Sequence, residues 1–205
     1  QADFFSNLFA SHPPSVQRVE ANKVRAADFA PGQRYRQRYQ TAIAQLKKDA
    51  PAYAAEKLAS QAIADKKPAL AIQHLDTAVA VQPAEGQFWA LRGTAWEMLD
   101  NSKNAEQAYT TAISKNDKFF SPYLARGILY YKEGQRAAAA ADLKRSNQLL
   151  PTATASYYLG ELALQEQRYE QAQSYFQQAA QEGGELGIQS REKIQQLNLQ
   201  LRPHT

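Results

Sequence analysis

Laid against itself, the sequence repeats with a period of about 34 residues. Ala59, Gly93, Gly127 and Gly160 are separated by 34, 34 and 33 residues. Ala71, Ala105, Ala139 and Ala172 follow at the same spacings, as do Leu75, Tyr109, Leu143 and Phe176, and again Ala78, Ala112, Ser146 and Ala179. Pro83, Asp117 and Pro151 close the first three units. A period of this length marks supersecondary units that bury their apolar faces only by stacking on their neighbours, so the chain is expected to be a solenoid.

The columns have physical reasons. A small residue in the first helix of a pair lets the second helix cross closely, and the alanine that opens the second helix does the same from the other side. The Leu or aromatic residue four positions later lies on the same helical face and fills the space between adjacent pairs. Proline after the second helix stops it. The fold class expected from this pattern is all-α.

The units resemble the tetratricopeptide-repeat (TPR) family, whose pattern is W-x2-L-G-x2-Y…A-x3-F…P. Residues 86–119 match best, with Trp89, Gly93, Trp96, Ala105, Tyr109 and Ala112; residues 120–152 give Tyr123, Gly127, Tyr130, Ala139, Leu143 and Pro151. Residues 52–85 are weaker at their start, where Ala55, Leu58 and Ala59 replace the aromatic opening. In residues 153–182 the connection reads as one residue short, with Tyr157 and Tyr158 just beyond the aromatic slot. The resemblance implies a right-handed superhelix of antiparallel helix pairs over 52–182. It also implies a concave groove lined by first-helix positions that face away from the second helix. Those positions here are Tyr53, Glu56 and Ser60; Gln87, Ala90, Thr94, Glu97 and Met98; Leu124, Ile128, Tyr131 and Lys132; and Tyr157, Glu161 and Leu164. The second helices and neighbouring units are expected to bury Trp89, Gly93, Trp96, Tyr123, Gly127 and Tyr130, leaving the other stripe as an apolar contact surface for a polypeptide. The stripe lacks the Lys/Asn/Arg arrangement by which chaperone-docking TPRs clamp a C-terminal carboxylate, which argues against an Hsp-tail co-chaperone.

Both flanks read as helical. Gly183-Gly184 ends the last unit, and Glu185–Leu201 carries Leu186, Ile194, Leu197 and Leu201 on a helical pattern. Because a terminal repeat exposes an apolar face, residues 183–205 are expected to supply a C-terminal capping helix and tail. Upstream, Arg34–Lys48 places Tyr35, Tyr39, Ile43 and Leu46 near one helical face, and Pro51 is expected to end that helix. Residues 31–51 therefore read as a linker and N-terminal capping helix. Before them, Pro13-Pro14 introduces a helix from about Pro14 to Ala27.

The string Phe4-Phe5…Ser11-His12-Pro13…Arg18-Val19 resembles the segment that closes the protease domain of HtpX-like and BepA-type zinc metallopeptidases, of the CAAX-prenyl-protease-like class. Several periplasmic members of that class continue straight into TPR units. The resemblance implies that residues 1–30 are the tail of a protease domain, that the parent binds zinc and acts on proteins of the bacterial envelope, and that the parent's own protease domain is a further partner; the alternative to an open groove is one covered by that domain or by the N-terminal segment. It places His12 and Arg18 at the rim of the parent's cleft; within this chain, which offers nothing to complete a site, His12 reads as a turn histidine ordering the Pro-Pro helix entry. The zinc motif HExxH, two His one turn apart with Glu as base, does not occur here, and His12, His74 and His204 are too far apart to reproduce it. No catalytic residue, metal ligand set or cofactor is expected of this chain.

Composition narrows the partners. The net charge of +4 sits in residues 1–50, and residues 51–205 balance to zero, so no basic face for nucleic acid is expected. No stretch approaches about 18 consecutive apolar residues, so no membrane span is expected. Cysteine is absent. The opening QADFFSNLFA lacks both an initiator Met and the pattern of a signal peptide, which reads as a piece of a longer protein. The function expected is a protein-interaction module that recruits or docks polypeptides, periplasmic or envelope-associated as part of a metalloendopeptidase; the alternative is a stand-alone TPR scaffold.

Overall fold

The structure, a computed structural model, describes residues 15–27 and 36–200. Within them run ten helices: α1 (Ser15–Ala27), α2 (Arg36–Ala64), α3 (Pro68–Val81), α4 (Gly86–Glu97), α5 (Ser102–Lys115), α6 (Phe120–Lys132), α7 (Arg136–Leu149), α8 (Ala153–Gln165), α9 (Tyr169–Ala179) and α10 (Glu185–Gln200). The described residues contain no strand. The chain divides into two compact bodies, Gln1–Gln45 and Leu46–Thr205. In the first, α1 carries an exposed Lys23–Glu20 pair one turn apart at 3.2 Å. His12 and His204 lie outside the described residues, as does the side chain of Arg18.

Pro51 does not end the N-terminal helix as expected, for α2 runs through it to Ala64. Proline in a helix interior removes one backbone bond and crowds the carbonyl four residues back. Here the alanines that follow it, strong helix formers, share a buried face. Ala52, Ala55 and Ala59 pack with Leu75 and Ala78 of α3 and Phe88 of α4, so tertiary packing anchors the helix from immediately after the proline.

The second body is a right-handed stack of helix pairs, α2–α3, α4–α5, α6–α7 and α8–α9. Its columns explain the closeness of each crossing. A Cβ on Gly93 would stand 2.4 Å from Cε1 of Tyr109; on Gly127, 2.9 Å from Cγ of Leu143; on Gly160, 2.7 Å from Cε1 of Phe176. The small residue is therefore matched to the large residue of its own second helix, and only then does that residue reach the next unit. Tyr109, for example, also packs with Leu129 of α6. The connection before α8 covers residues 150–152, one shorter than 82–85 and 116–119, as the displaced aromatic slot implied.

A further column marks the turn inside each pair. Lys66, Asp100, Gly134 and Gln167 all have left-handed backbones, with φ of 57°, 53°, 75° and 58°. The residue after each donates its amide back to the carbonyl of Ala62, Trp96, Tyr130 or Ala163 at 2.8–3.0 Å, closing the end of the first helix.

Helix α10 completes the stack. It packs on α9 and α8 as α8 packs on α7 and α6, with Leu197 buried against Ala163, Ala172 and Phe176. Ile194 falls 34 residues after Gly160, in the small-residue column. It packs against the same cluster as Leu197.

Candidate functional site: the inner face of the helix stack

First helices of consecutive units touch (α4 with α6, α6 with α8, α8 with α10), whereas among the described residues second helices of consecutive units do not. The stack therefore curves with the first helices inside, and their outward stripe forms a concave face. The expected groove residues all fall on these helices. Tyr53, Gln87, Met98 and Lys132 are exposed; Glu56, Thr94, Glu97, Leu124, Ile128, Tyr131, Tyr157, Glu161 and Leu164 are half-buried; Ala90 is buried.

Many of these side chains are tied to one another. The Tyr109 hydroxyl donates to Glu97 Oε2 at 2.5 Å, and Lys132 of the next unit lies 3.2 Å from Glu97 Oε1. Gln165 donates to the Tyr131 hydroxyl at 3.2 Å, and Lys193 of α10 lies 2.8 Å from Glu161. Adjacent first helices are thus stitched to one another along the groove floor. Burial, then the Glu161 charge, raises the Tyr131 and Tyr157 hydroxyls above the usual tyrosine range. Burial, then Glu97, raises Tyr109 much further. At neutral pH these phenols are neutral hydrogen-bonding groups.

The groove is not a uniformly open apolar stripe. Leu124, Ile128 and Tyr131 pack against the cluster of Ala139, Leu143, Leu159 and Leu162, and Tyr131 meets Tyr158 edge-on at 5.0 Å. A cleft of about 190 Å³ opens at the junction of the second and third units. Gln87, Ala90 and Thr94 of α4 line one side, Ser121 and Ala125 of α6 the other, with Tyr109 and Phe119 at its ends. Ser121 went unremarked in the sequence although it stands 34 residues after Gln87, in a column already assigned to the groove.

The opposite expectation, that Trp89, Trp96, Tyr123 and Tyr130 are buried, holds only in part: all four are half-buried, while Gly93 and Gly127 are fully covered. Their slot contains a feature sequence reading passed over. Arg92 and Arg126 stand where the repeat pattern has Leu. Arg126 forks onto Asp142 (Nε to Oδ2 2.6 Å, Nη2 to Oδ1 2.9 Å) and donates to Thr110 of the preceding unit at 2.7 Å. Arg92 reaches Asp76 of its preceding unit at 2.8 Å. Among the described residues no three His, Asp or Glu side chains group in a way that could hold a metal ion, and no helix is long and apolar enough to cross a membrane.

No family model matches the chain. Among curated proteins, human neutrophil cytosol factor 2 is 33% identical over 82 residues, 37% of this chain and 16% of that protein, so the chain spans about a sixth of that relative's length. Among solved structures, MamA from Desulfovibrio magneticus RS-1 superposes with a TM-score of 0.63 at 17% identity, over 73% of this chain and 85% of that one. The first TPR domain of Spaghetti (RPAP3), solved with the HSP90 peptide SRMEEVD, gives 0.56 at 18% identity, over 58% and 95%. The chain has the TPR fold.

Proposed function

We propose that the concave face of residues 46–205 binds an extended polypeptide segment, anchored by an apolar side chain in the cleft between α4 and α6. The cleft carries the reading: it is a groove-side recess with an apolar floor (Ala90, Ala125) and hydrogen-bonding groups at its rim (Gln87, Thr94, Ser121). A small number of such buried contacts concentrates binding energy in protein interfaces. The peptide-bound TPR domain of RPAP3 supports the mode, though this groove lacks the cationic clamp for a terminal carboxylate, so an internal segment is the fitting ligand. Panning a displayed random-peptide library on the chain tests this. Enriched peptides should share one apolar position and weaken at least about tenfold, or 1.4 kcal/mol, with Ser121→Phe, which fills the cleft. Enrichment that ignores Ser121→Phe in a folded protein would place binding elsewhere.

We further propose that the parent of this chain is an envelope zinc metallopeptidase for which the repeats collect substrates, with zinc held by the parent's protease domain. The support is the Phe4-Phe5…His12-Pro13…Arg18-Val19 string directly ahead of TPR units. An HExxH helix in the residues encoded upstream of Gln1, with zinc-dependent proteolysis by the whole protein, is the result expected. An upstream sequence without that motif leaves the stand-alone scaffold as the reading.

A further inference from the structure

On the outer side of the second unit a separate cleft of about 380 Å³ opens between α4 and α5. Trp89, Arg92 and Trp96, at helical spacing on α4, form one wall; Gln107, Ala108 and Thr111 of α5 form the other. This volume lies within the range of small-molecule sites, which pair aromatic walls with a few polar groups.

The third unit shows why the cleft is open. The residues 34 positions on are Tyr123, Arg126 and Tyr130 on the first helix, and Ala141, Asp142 and Arg145 on the second. There Asp142 occupies the arginine, taking Arg126 Nε at 2.6 Å and Nη2 at 2.9 Å, and Arg145 lies over the Tyr123 ring at 5.9 Å. In the second unit, Ala108 stands in place of that carboxylate and Thr111 in place of that guanidinium. Arg92 keeps the contact to the preceding unit, through Asp76 at 2.8 Å, but its Nε is buried with no hydrogen-bond partner. A buried donor without an acceptor is costly, and an arriving acceptor recovers that cost.

The rest of the wall is set. Trp89 is fixed by its indole N–H donating to Pro83 O at 3.1 Å, and Arg92 stacks on it at 5.4 Å. Trp96 is half-exposed. We propose that this cleft binds a small aromatic carboxylic acid. Its carboxylate accepts at Arg92 from Nε, an atom that Asp142 takes at Arg126, while Nη2 stays with Asp76, and its ring lies against the Trp96 indole. Nε itself is covered, so the carboxylate reaches it by rotation of an arginine side chain that is 26% exposed. The side chain of Gln107 lines the cleft as a neutral hydrogen-bonding group, whereas the Thr111 hydroxyl donates to the Gln107 carbonyl at 2.9 Å.

Trp89 and Trp96 are the two tryptophans of the sequence, so tryptophan fluorescence reports on this cleft directly. The chain is titrated with phenylacetate and, in parallel, with neutral phenylacetamide. Phenylacetate should change the emission saturably with a dissociation constant on the order of 1 mM, and phenylacetamide should bind at least about tenfold more weakly. Ala108→Asp, which supplies the carboxylate from within, should abolish the effect; should that variant melt early, Arg92→Met, which keeps the apolar stem, decides by the same loss. Equal response to acid and amide, no saturable response to about 10 mM, or binding that survives both substitutions would overturn the proposal.

Discussion

Replacing Gly93 by alanine tests the packing logic of the repeat at its tightest point. A Cβ there stands 2.4, 2.5 and 2.8 Å from three atoms of the Tyr109 ring, where ordinary contact begins near 3.4 Å. The ring has nowhere to go: Tyr109 is 1% exposed, and its hydroxyl is held by Glu97 at 2.5 Å. The overlap must be relieved by separating α4 from α5, and overpacking of this kind costs about 3 kcal/mol. Against it, alanine is favoured over glycine inside a helix by about 1 kcal/mol. The net expected loss is about 2 kcal/mol, or a fall in Tm of about 4–8 °C for a chain of this size. Gly183→Ala is the control, because a Cβ there meets nothing within 4 Å, and its effect should stay within about 0.5 kcal/mol. Urea and thermal unfolding followed by far-UV circular dichroism measure both. If Gly93→Ala proves neutral or stabilising, the helices are not held at the distance that makes the small column necessary.

Three other outcomes follow from the same structure. Asp142→Ala strands the mostly buried Arg126 and should cost about 3 kcal/mol, whereas Arg126→Leu with Asp142→Ala, restoring the leucine seen at Leu58 and Leu159, should recover most of it; urea unfolding of the single and double variants measures this. Burial and the Glu106 hydrogen bond push the Tyr130 hydroxyl up to about 12, above the ordinary value of about 10. The folded state then holds this proton more tightly, so the stabilisation is complete below pH about 10 and is lost as pH rises towards about 12; Tyr130→Phe should flatten that part of the alkaline stability profile. Gly134→Ala, at φ 75°, should cost about 1 kcal/mol in urea unfolding, while Gln167→Gly, at φ 58°, should gain about 0.5 kcal/mol.

The parts of this molecule legible in the sequence are those fixed by one property at one spacing. Gly93, Gly127 and Gly160 must be small whatever surrounds them, so the columns gave the helix pairs, the short connection before α8 and the stripe that faces the groove. Outcomes that depend on a second residue were hidden. The left-handed turns fall on Lys66, Asp100, Gly134 and Gln167, four residues with no shared chemistry and only one glycine. The open cleft beside Trp89 and Trp96 is decided across the helix pair, where Ala108 and Thr111 stand in the places that Asp142 and Arg145 take one unit later. Pro51 reads locally as a stop, yet the helix runs through it into the buried alanines Ala52, Ala55 and Ala59. Leu124, Ile128 and Tyr131 lie on the first helix of the third unit. Their half-burial comes from the mutual contact of successive first helices, which no single unit reveals.

The central claim is that polypeptide binds on the inner face of the first helices. Backbone amide shifts of isotope-labelled chain, followed during titration with a panned peptide, test it most directly. The largest shifts should fall on Gln87, Thr94, Ser121 and Ala125, with smaller ones at Ile128 and Tyr131 and none on the outward residues of α5 and α7. Shifts centred on those second helices, or spread evenly along the chain, would contradict it.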